Sequence, residues 1–196
     1  MLLEYLNLQI EPLKKFYEET IQKIQENKKA IDKIYGKTEA SEETANGFLD
    51  SLIDDYGEQE EFKNLAGLLI VSYNYFILEH FLKLIIGNLL NRKNSLKSKS
   101  YKKWGIKRIE KFFTDQGINL IKVKCYKKCN ILRLIVNSVK HNGKHVSEQL
   151  SEAKDSYKKG EDIVISSNDV DEYFDATISF CDDLVEQLIG KNEALF

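Results

Sequence analysis

The sequence predicts an all-α protein, a single-domain bundle of about five to six helices. Three observations predict it. Only one proline, Pro12, and ten glycines occur in 196 residues, too few punctuators for a turn-rich β architecture. Apolar residues make up 42% of the chain and charged ones 31%, a globular balance. The apolar residues recur at helical spacing, as in Ile10, Leu13, Tyr17, Ile21, Ile24, Ile31 and Ile34. A chain of this length removes roughly 70% of its unfolded surface from water on folding, enough for a real core.

The elements follow in order. A first helix runs from about Leu3 to Tyr35, with Gly36 as its stop and Pro12 as a kink or a second start. The polar stretch from Lys37 to Asn46 reads as a loop, and a short helix from about Glu43 to Tyr56 ends at Gly57. Residues 1–36 are thus an N-terminal helix packed on the bundle and 37–196 the main helical domain, one globular unit overall. A third helix spans about Glu60 to Asn91, and a fourth about Ser100 to Gln116, stopped by Gly117. The fifth, about Lys122 to His141, meets the terminator pair Asn142-Gly143. Val146 to Gly160 reads as one frayed helix, and Ile163-Val164-Ile165 as a brief extended piece. Ser167 or Asn168 caps a last helix from about Val170 to Ile189, with Asp169, Asp171 and Glu172 set to favour its N-terminal dipole.

Cys125, Cys129 and Cys181 form an odd, small set that suits reduced thiols. The start, MLLEYLNLQIEPLKK, has no basic leader and carries Glu4 early, unlike a signal peptide. Leu65 to Leu90 is long enough to span a bilayer. Glu79, His80 and Lys83 near its middle would each cost about 2.5–3.5 kcal/mol in lipid, so the stretch reads as a buried central helix. A cytoplasmic location and no membrane partner are expected.

Charge is segregated along the chain. From Arg92 to Lys144 there are sixteen Lys or Arg against Glu110 and Asp115, a net of +14. Residues 36–61 carry a net of −8, and residues 145–196 a net of −9. So basic a segment on an acidic body attracts a polyanion, and each Lys or Arg that meets a phosphate releases counterions. Lys102, Lys103, Lys107, Arg108, Lys144 and His145, with Trp104, are the residues expected to bind RNA. Tyr101, Trp104, Phe112, Phe113 and Tyr126 interleave with the lysines and offer faces on which unpaired bases stack. The alternative is that the lysines solvate helix faces or are neutralised by the chain's own acids, and that the aromatics are core.

The chemistry concentrates in LRLIVNSVKHNGKH, Leu132 to His145. Leu132, Ile135, Val136 and Val139 form one apolar stripe, and His141 projects from nearly the opposite side. Arg133, Asn137 and His141 make a slowly drifting polar row, with Lys140 close to Arg133 in azimuth. A histidine can take the proton of a 2′-hydroxyl or give one to a leaving 5′-oxygen. A guanidinium can hold the scissile phosphate, and an amide can orient the imidazole. No metal or cofactor enters this chemistry. The plain alternative is a histidine that meets only the last carbonyls of its own helix.

Asn137-Ser138-Val139-Lys140-His141, followed by Asn142-Gly143, resembles the signature of the HEPN superfamily, whose helical domains carry an Arg and then a His near the end of a late helix. The resemblance also covers the long internal helix, where Ser72, Glu79 and Lys83 fall within about 20° of one face. Glu79 and Lys83 also suit a plain i,i+4 ion pair. The resemblance implies a metal-independent endoribonuclease that dimerises, often within a bacterial toxin or antiviral defence system. His141, Arg133 and Asn137 would be its catalytic residues, and Glu79, Lys83 and Lys140 would support them. The chain departs from the pattern at Val136, where nuclease members usually have Arg. Either Arg133 or Lys140 substitutes, or the chain is a catalytically inactive module that binds RNA or a protein partner.

Other constellations are weaker. Cys125 and Cys129 lack a second pair for zinc. Gly143 separates His141 from His145, so they need not share a face. There is no phosphate-cradling glycine loop, no nucleophile elbow and no paired catalytic carboxylates.

Overall fold

The computed structural model describes residues 2–35, 42–92 and 100–191. It is an all-α bundle with six α-helices among the described residues: α1 (Leu2–Tyr35), α2 (Glu42–Arg92), α3 (Ile106–Asp115), α4 (Tyr126–Asn142), α5 (Glu148–Ala153) and α6 (Ser167–Lys191). Two short 3₁₀ turns, Ser100–Lys103 and Leu120–Lys122, link α2 to α3 and α3 to α4.

The core is one cluster centred on α2. Phe81, Ile85 and Ile86 of α2 meet Leu6 and Ile10 of α1, Ile109 and Phe113 of α3, Leu132 and Ile135 of α4, and Phe174 and Leu184 of α6, all buried. A stretch of α2 is long and apolar enough to cross a membrane, and 56% of its most apolar part is buried inside the bundle. Glu79 and Lys83, expected as an i,i+4 pair, do pair, at 2.6 Å.

Several boundaries differ from expectation, each for a physical reason. Pro12 neither breaks nor restarts α1: its ring faces solvent while Ile10 and Tyr17 are held in the core. Gly57 does not end a helix, and Glu42 to Arg92 form one α-helix of 51 residues. A helical glycine costs only about 1 kcal/mol. Contacts to α1 bracket it, since Tyr56 donates to Asp32 and Lys28 pairs with Glu60. The expected loop from Lys37 falls partly outside the described residues, and its last part, from Glu42, is helix. The expected Ser100–Gln116 helix is divided at Trp104-Gly105, where Gly105 caps α3. Gln116 ends α3, and Gly117 has φ +78°, as a helix stop requires.

The fifth expected helix starts four residues late, at Tyr126. Cys125 adopts a left-handed φ of +61°, and the Lys124 backbone N–H donates to Asp183 of α6 at 2.7 Å. That long-range bond stabilises a turn where local sequence favours helix. The helix ends at Asn142-Gly143 as expected, with Gly143 at φ +64°. Only Glu148–Ala153 of the Val146–Gly160 segment is helical, capped by the Ser147 hydroxyl.

Ile163-Val164-Ile165 is extended, with its outer isoleucines buried and Val164 exposed, but it joins no strand among the described residues; beside it lies an isolated bridge between His145 and Asp162. Asn64 of α2 acts as its partner. The Asn64 amide donates to the Ile163 carbonyl and accepts from the Ile165 N–H, each at 2.9 Å. One turn along, a Cβ on Gly67 would sit 3.0 Å from Ile165 Cβ and 3.3 Å from its carbonyl oxygen. Gly67→Ala should therefore destabilise the fold by about 1–3 kcal/mol, as overpacking against backbone does. Urea unfolding of the two proteins measures the difference.

The last helix starts at Ser167, and its cap is Ser166, one residue before the expected one. Ser166 Oγ accepts from the Asp169 N–H while Asp169 accepts from the Ser166 N–H, a reciprocal capping box. Burial works against the Asp169 carboxylate, yet its bonds from Ser166 and Lys154 hold its pKa below the ordinary value.

Candidate nucleic-acid interface and active site

Over its last three turns α4 buries Leu132, Leu134, Ile135, Val136 and Ser138. It leaves Asn130, Arg133, Asn137, Lys140 and His141 in a sector of about 100°. Arg133 is half-buried, and its Nε and Nη2 both donate to Asn130 Oδ1, at 3.0 and 2.8 Å. Its guanidinium is thus turned toward the N-terminal end of the helix, away from His141. Asn137 is half-buried, while Lys140 and His141 are exposed.

Beside Arg133 lies a small cavity of about 30 Å³, whose polar wall is Tyr75, Glu79, Tyr126, Asn130 and Arg133. Tyr126 donates to Glu110 at 2.7 Å. Burial pushes both phenols up to about 12, with Glu79 adding to the effect at Tyr75 and the bond to Glu110 adding at Tyr126. Both are therefore neutral donors at physiological pH.

Glu79 also faces outward. Together with Phe76, His80, Lys83, Tyr101 and Lys102 it lines an open cleft of about 420 Å³. Lys140 closes the α4 side of this region, its ammonium 4.6 Å from the centre of the Phe76 ring. The cleft thus has Lys102 of the 3₁₀ turn and the Glu79-paired Lys83 of α2 in its lining, with Lys140 of α4 beside it at Phe76. Gly87 admits the Tyr101 ring, since a Cβ there would lie 2.5 Å from the phenol oxygen.

The basic segment divides into free and paired groups. Among the described basic residues of 100–144, only Lys128 and Lys144 pair with acids, Lys128 with Glu172 and Lys144 with Glu61 and Asp162. Lys102, Lys103, Lys107 and Arg108 are exposed and make no ion pair among the described residues. Lys144 and His145, expected to bind RNA, converge on Asp162 instead. Lys144 Nζ is 3.0 Å from one carboxylate oxygen and His145 Nδ1 is 2.8 Å from the other. The hydrogen bond from Lys144 draws the Asp162 pKa below its ordinary value.

The aromatics are mostly structural. Phe113 is fully buried, so it offers no face to a base, contrary to that expectation. Trp104 is half-buried against Phe112, with Arg108 lying 4.9 Å over its ring. Tyr101 alone among them lines the cleft.

The polar row of α4 thus shares one sector, but its two ends diverge. Arg133 belongs to the small cavity with Glu79, whereas Lys140 reaches the open cleft at Phe76, and His141 follows Lys140 about 100° further round. Phe76, His80, Tyr101 and Asn130 were not singled out from the sequence. Asn130 was within reach of the same reasoning, since it stands three residues before Arg133 on its face. Tyr101 was not, because only the packing at Gly87 brings it to the cleft. Among the described residues no cluster of three His, Cys, Asp or Glu side chains is arranged to hold a metal. Comparison with family models, curated proteins and solved structures returned no match.

Proposed function

We propose that this chain is an RNA-directed cytoplasmic protein, a metal-independent endoribonuclease of HEPN type serving a bacterial toxin or antiviral defence system. The observation that supports it best is the cleft, where Lys102 and the Glu79-paired Lys83 lie beside Phe76 and Tyr101 and the Lys140 ammonium sits over the Phe76 ring, with His141 next to Lys140 in the chain. Phosphates have cations to meet there, and an unpaired base has exposed rings to stack on.

In this reading the 2′-oxygen of a ribose attacks the adjacent phosphorus. The 2′-oxygen–phosphorus bond forms, the bond to the 5′-oxygen breaks, and a 2′,3′-cyclic phosphate and a 5′-hydroxyl result. His141 takes the 2′-proton or supplies the proton to the leaving oxygen. Asn137, one turn before it, orients the imidazole or binds a phosphate oxygen. The bonds from Arg133 to Asn130 favour Lys140 over Arg133 as the cation that meets the scissile phosphate. Arg133 and Glu79 then support the cleft from behind.

One observation favours a second reading. Val136, where HEPN nucleases usually carry Arg, is buried in the core. The chain would then be an inactive module that binds RNA or a protein partner.

His141→Ala separates the two. The enzyme reading expects cleavage of single-stranded RNA to fall by about 10²–10⁴-fold, as loss of a general acid or base does. Binding should persist, because His141 contributes little to the cationic field. A wild-type protein that leaves RNA intact in every buffer yet binds it in a salt-dependent way is the inactive module. One that shows no salt-dependent binding is not RNA-directed at all.

A further inference from the structure

We propose that a second copy of this chain docks on the outer face of α2, antiparallel to it, about a two-fold axis at Leu69. Phe62, Leu65, Leu69, Tyr73 and Phe76 are each between 43% and 63% exposed, although α2 is the core helix of the bundle. At about 100° per residue they fall within about 80° of one another, so they form one continuous stripe. Half of five such side chains amounts to roughly 500–600 Å² of apolar surface, at the upper limit for a monomer that uses no such patch. A standard interface buries about 800 Å² per partner, so the stripe with its polar rim is of the right size.

The spacing identifies the occupant. The stripe is a palindrome about Leu69: Phe62 and Phe76 lie seven residues to either side, Leu65 and Tyr73 four. The same face continues into Asp55 and Glu58 at its N-terminal end and into His80 and Lys83 at its C-terminal end. These are mirrored too, Asp55 against Lys83 and Glu58 against His80. Lys140, seated on Phe76, adds a further positive charge to the C-terminal end. An antiparallel copy brings acids to bases at both ends, whereas a parallel copy sets like against like. A self-complementary patch of this kind is what an isologous two-fold interface requires. Lys83 already pairs with Glu79 of its own chain, so Lys140 is the principal cation offered to the partner's acids, with the His80 ring beside it as a hydrogen-bonding group.

The sequence resemblance implies a dimer only in general; the stripe assigns its surface, direction and register. The dimer would stand or fall independently of any RNA chemistry. Phe76 belongs to both stripe and cleft, so the dimer would cover its ring and leave that of Tyr101 as the cleft's face for a base.

Sedimentation of the full chain over a wide concentration range tests the association, and residue 69 tests the register. The wild type should sediment at twice the 22.8 kDa chain mass. Leu69→Glu and Leu69→Lys should each raise the dimer dissociation constant at least a hundredfold with unchanged circular dichroism, because a like charge then faces itself on the axis. An equimolar mixture of the two should recover the dimer. Leu69→Cys should cross-link to itself on oxidation. Phe62→Cys and Phe76→Cys should each remain single alone and cross-link when mixed, with the wild type and its native cysteines as control. A wild type that stays monomeric, even one that partitions onto zwitterionic vesicles, overturns the proposal. So does a dimer indifferent to charge at residue 69, or one in which Leu69→Cys does not cross-link.

Discussion

Reversing Lys102 and Lys140 together to glutamate should weaken binding of single-stranded RNA about 25-fold or more near 0.1 M salt. Each phosphate contact on a single strand contributes about 0.7 to the slope of log K against log salt, so two contacts are worth about 1.4 log units between 1 M and 0.1 M. The slope itself should therefore fall by about 1.4. Both lysines are exposed, pair with no acid among the described residues and stand at the same cleft. Their replacement should leave the fold intact, which circular dichroism checks. Lys144→Ala is the informative comparison. Its ammonium is already shared between Glu61 and Asp162, so its loss should change RNA affinity less than twofold. Equal effects at Lys144 and at the cleft would mean that affinity follows net charge alone and that the cleft has no special role. A filter-binding titration at several salt concentrations reads both quantities.

The second large effect concerns the frame rather than the cleft. Asn64→Ala should destabilise the fold by about 2–4 kcal/mol, because it leaves the Ile163 carbonyl and the Ile165 N–H without their partner, and each part-buried orphan costs about 1–3 kcal/mol. For a chain of this size that is a fall in melting temperature of roughly 5–15 °C. Asn64→Asp should not rescue it, since a carboxylate can accept from Ile165 but would turn an acceptor toward the Ile163 carbonyl. Hydrogen exchange should locate the damage, with the Ile165 amide losing protection before the amides of α4. Equal loss of protection everywhere would instead mean that the clamp and the core open as one unit.

The parts of the fold carried by apolar periodicity were legible in the sequence. The helical class, the central place of the Leu65–Leu90 stretch, the Asn142-Gly143 stop and the Glu79–Lys83 pair all depend on local spacing. The boundaries that moved depend on distant partners. Gly57 looks like a terminator until α1 is seen bracketing it through Asp32 and Lys28. The start of α4 is set by Asp183, 59 residues from Lys124. The site divides in the same way. One helix suffices to place Arg133, Asn137, Lys140 and His141 in one sector, so their azimuths were readable. Which cations are spent on acids was not: Lys144 and Lys102 look alike in the sequence, and only the fold brings Asp162 and Glu61 to one of them. Nor could spacing show that Asn130 draws Arg133 away from His141.

The length of α2 carries one more consequence. At 1.5 Å per residue its 51 residues form a rod of about 75 Å. Its leading part is dense in Asp and Glu, while lysines from the rest of the bundle gather toward its far end. Along α2 the charge therefore runs from acidic to basic, and the helix with its cleft forms an electric dipole. In the field of a polyanion it experiences a torque that swings the lysine-rich pole forward and the acidic pole away before any contact is made. Encounters would begin aligned at low ionic strength, and the alignment would fade with added salt, as the Debye length falls from about 30 Å at 0.01 M to about 10 Å at 0.1 M and only the nearer pole still senses the polyanion.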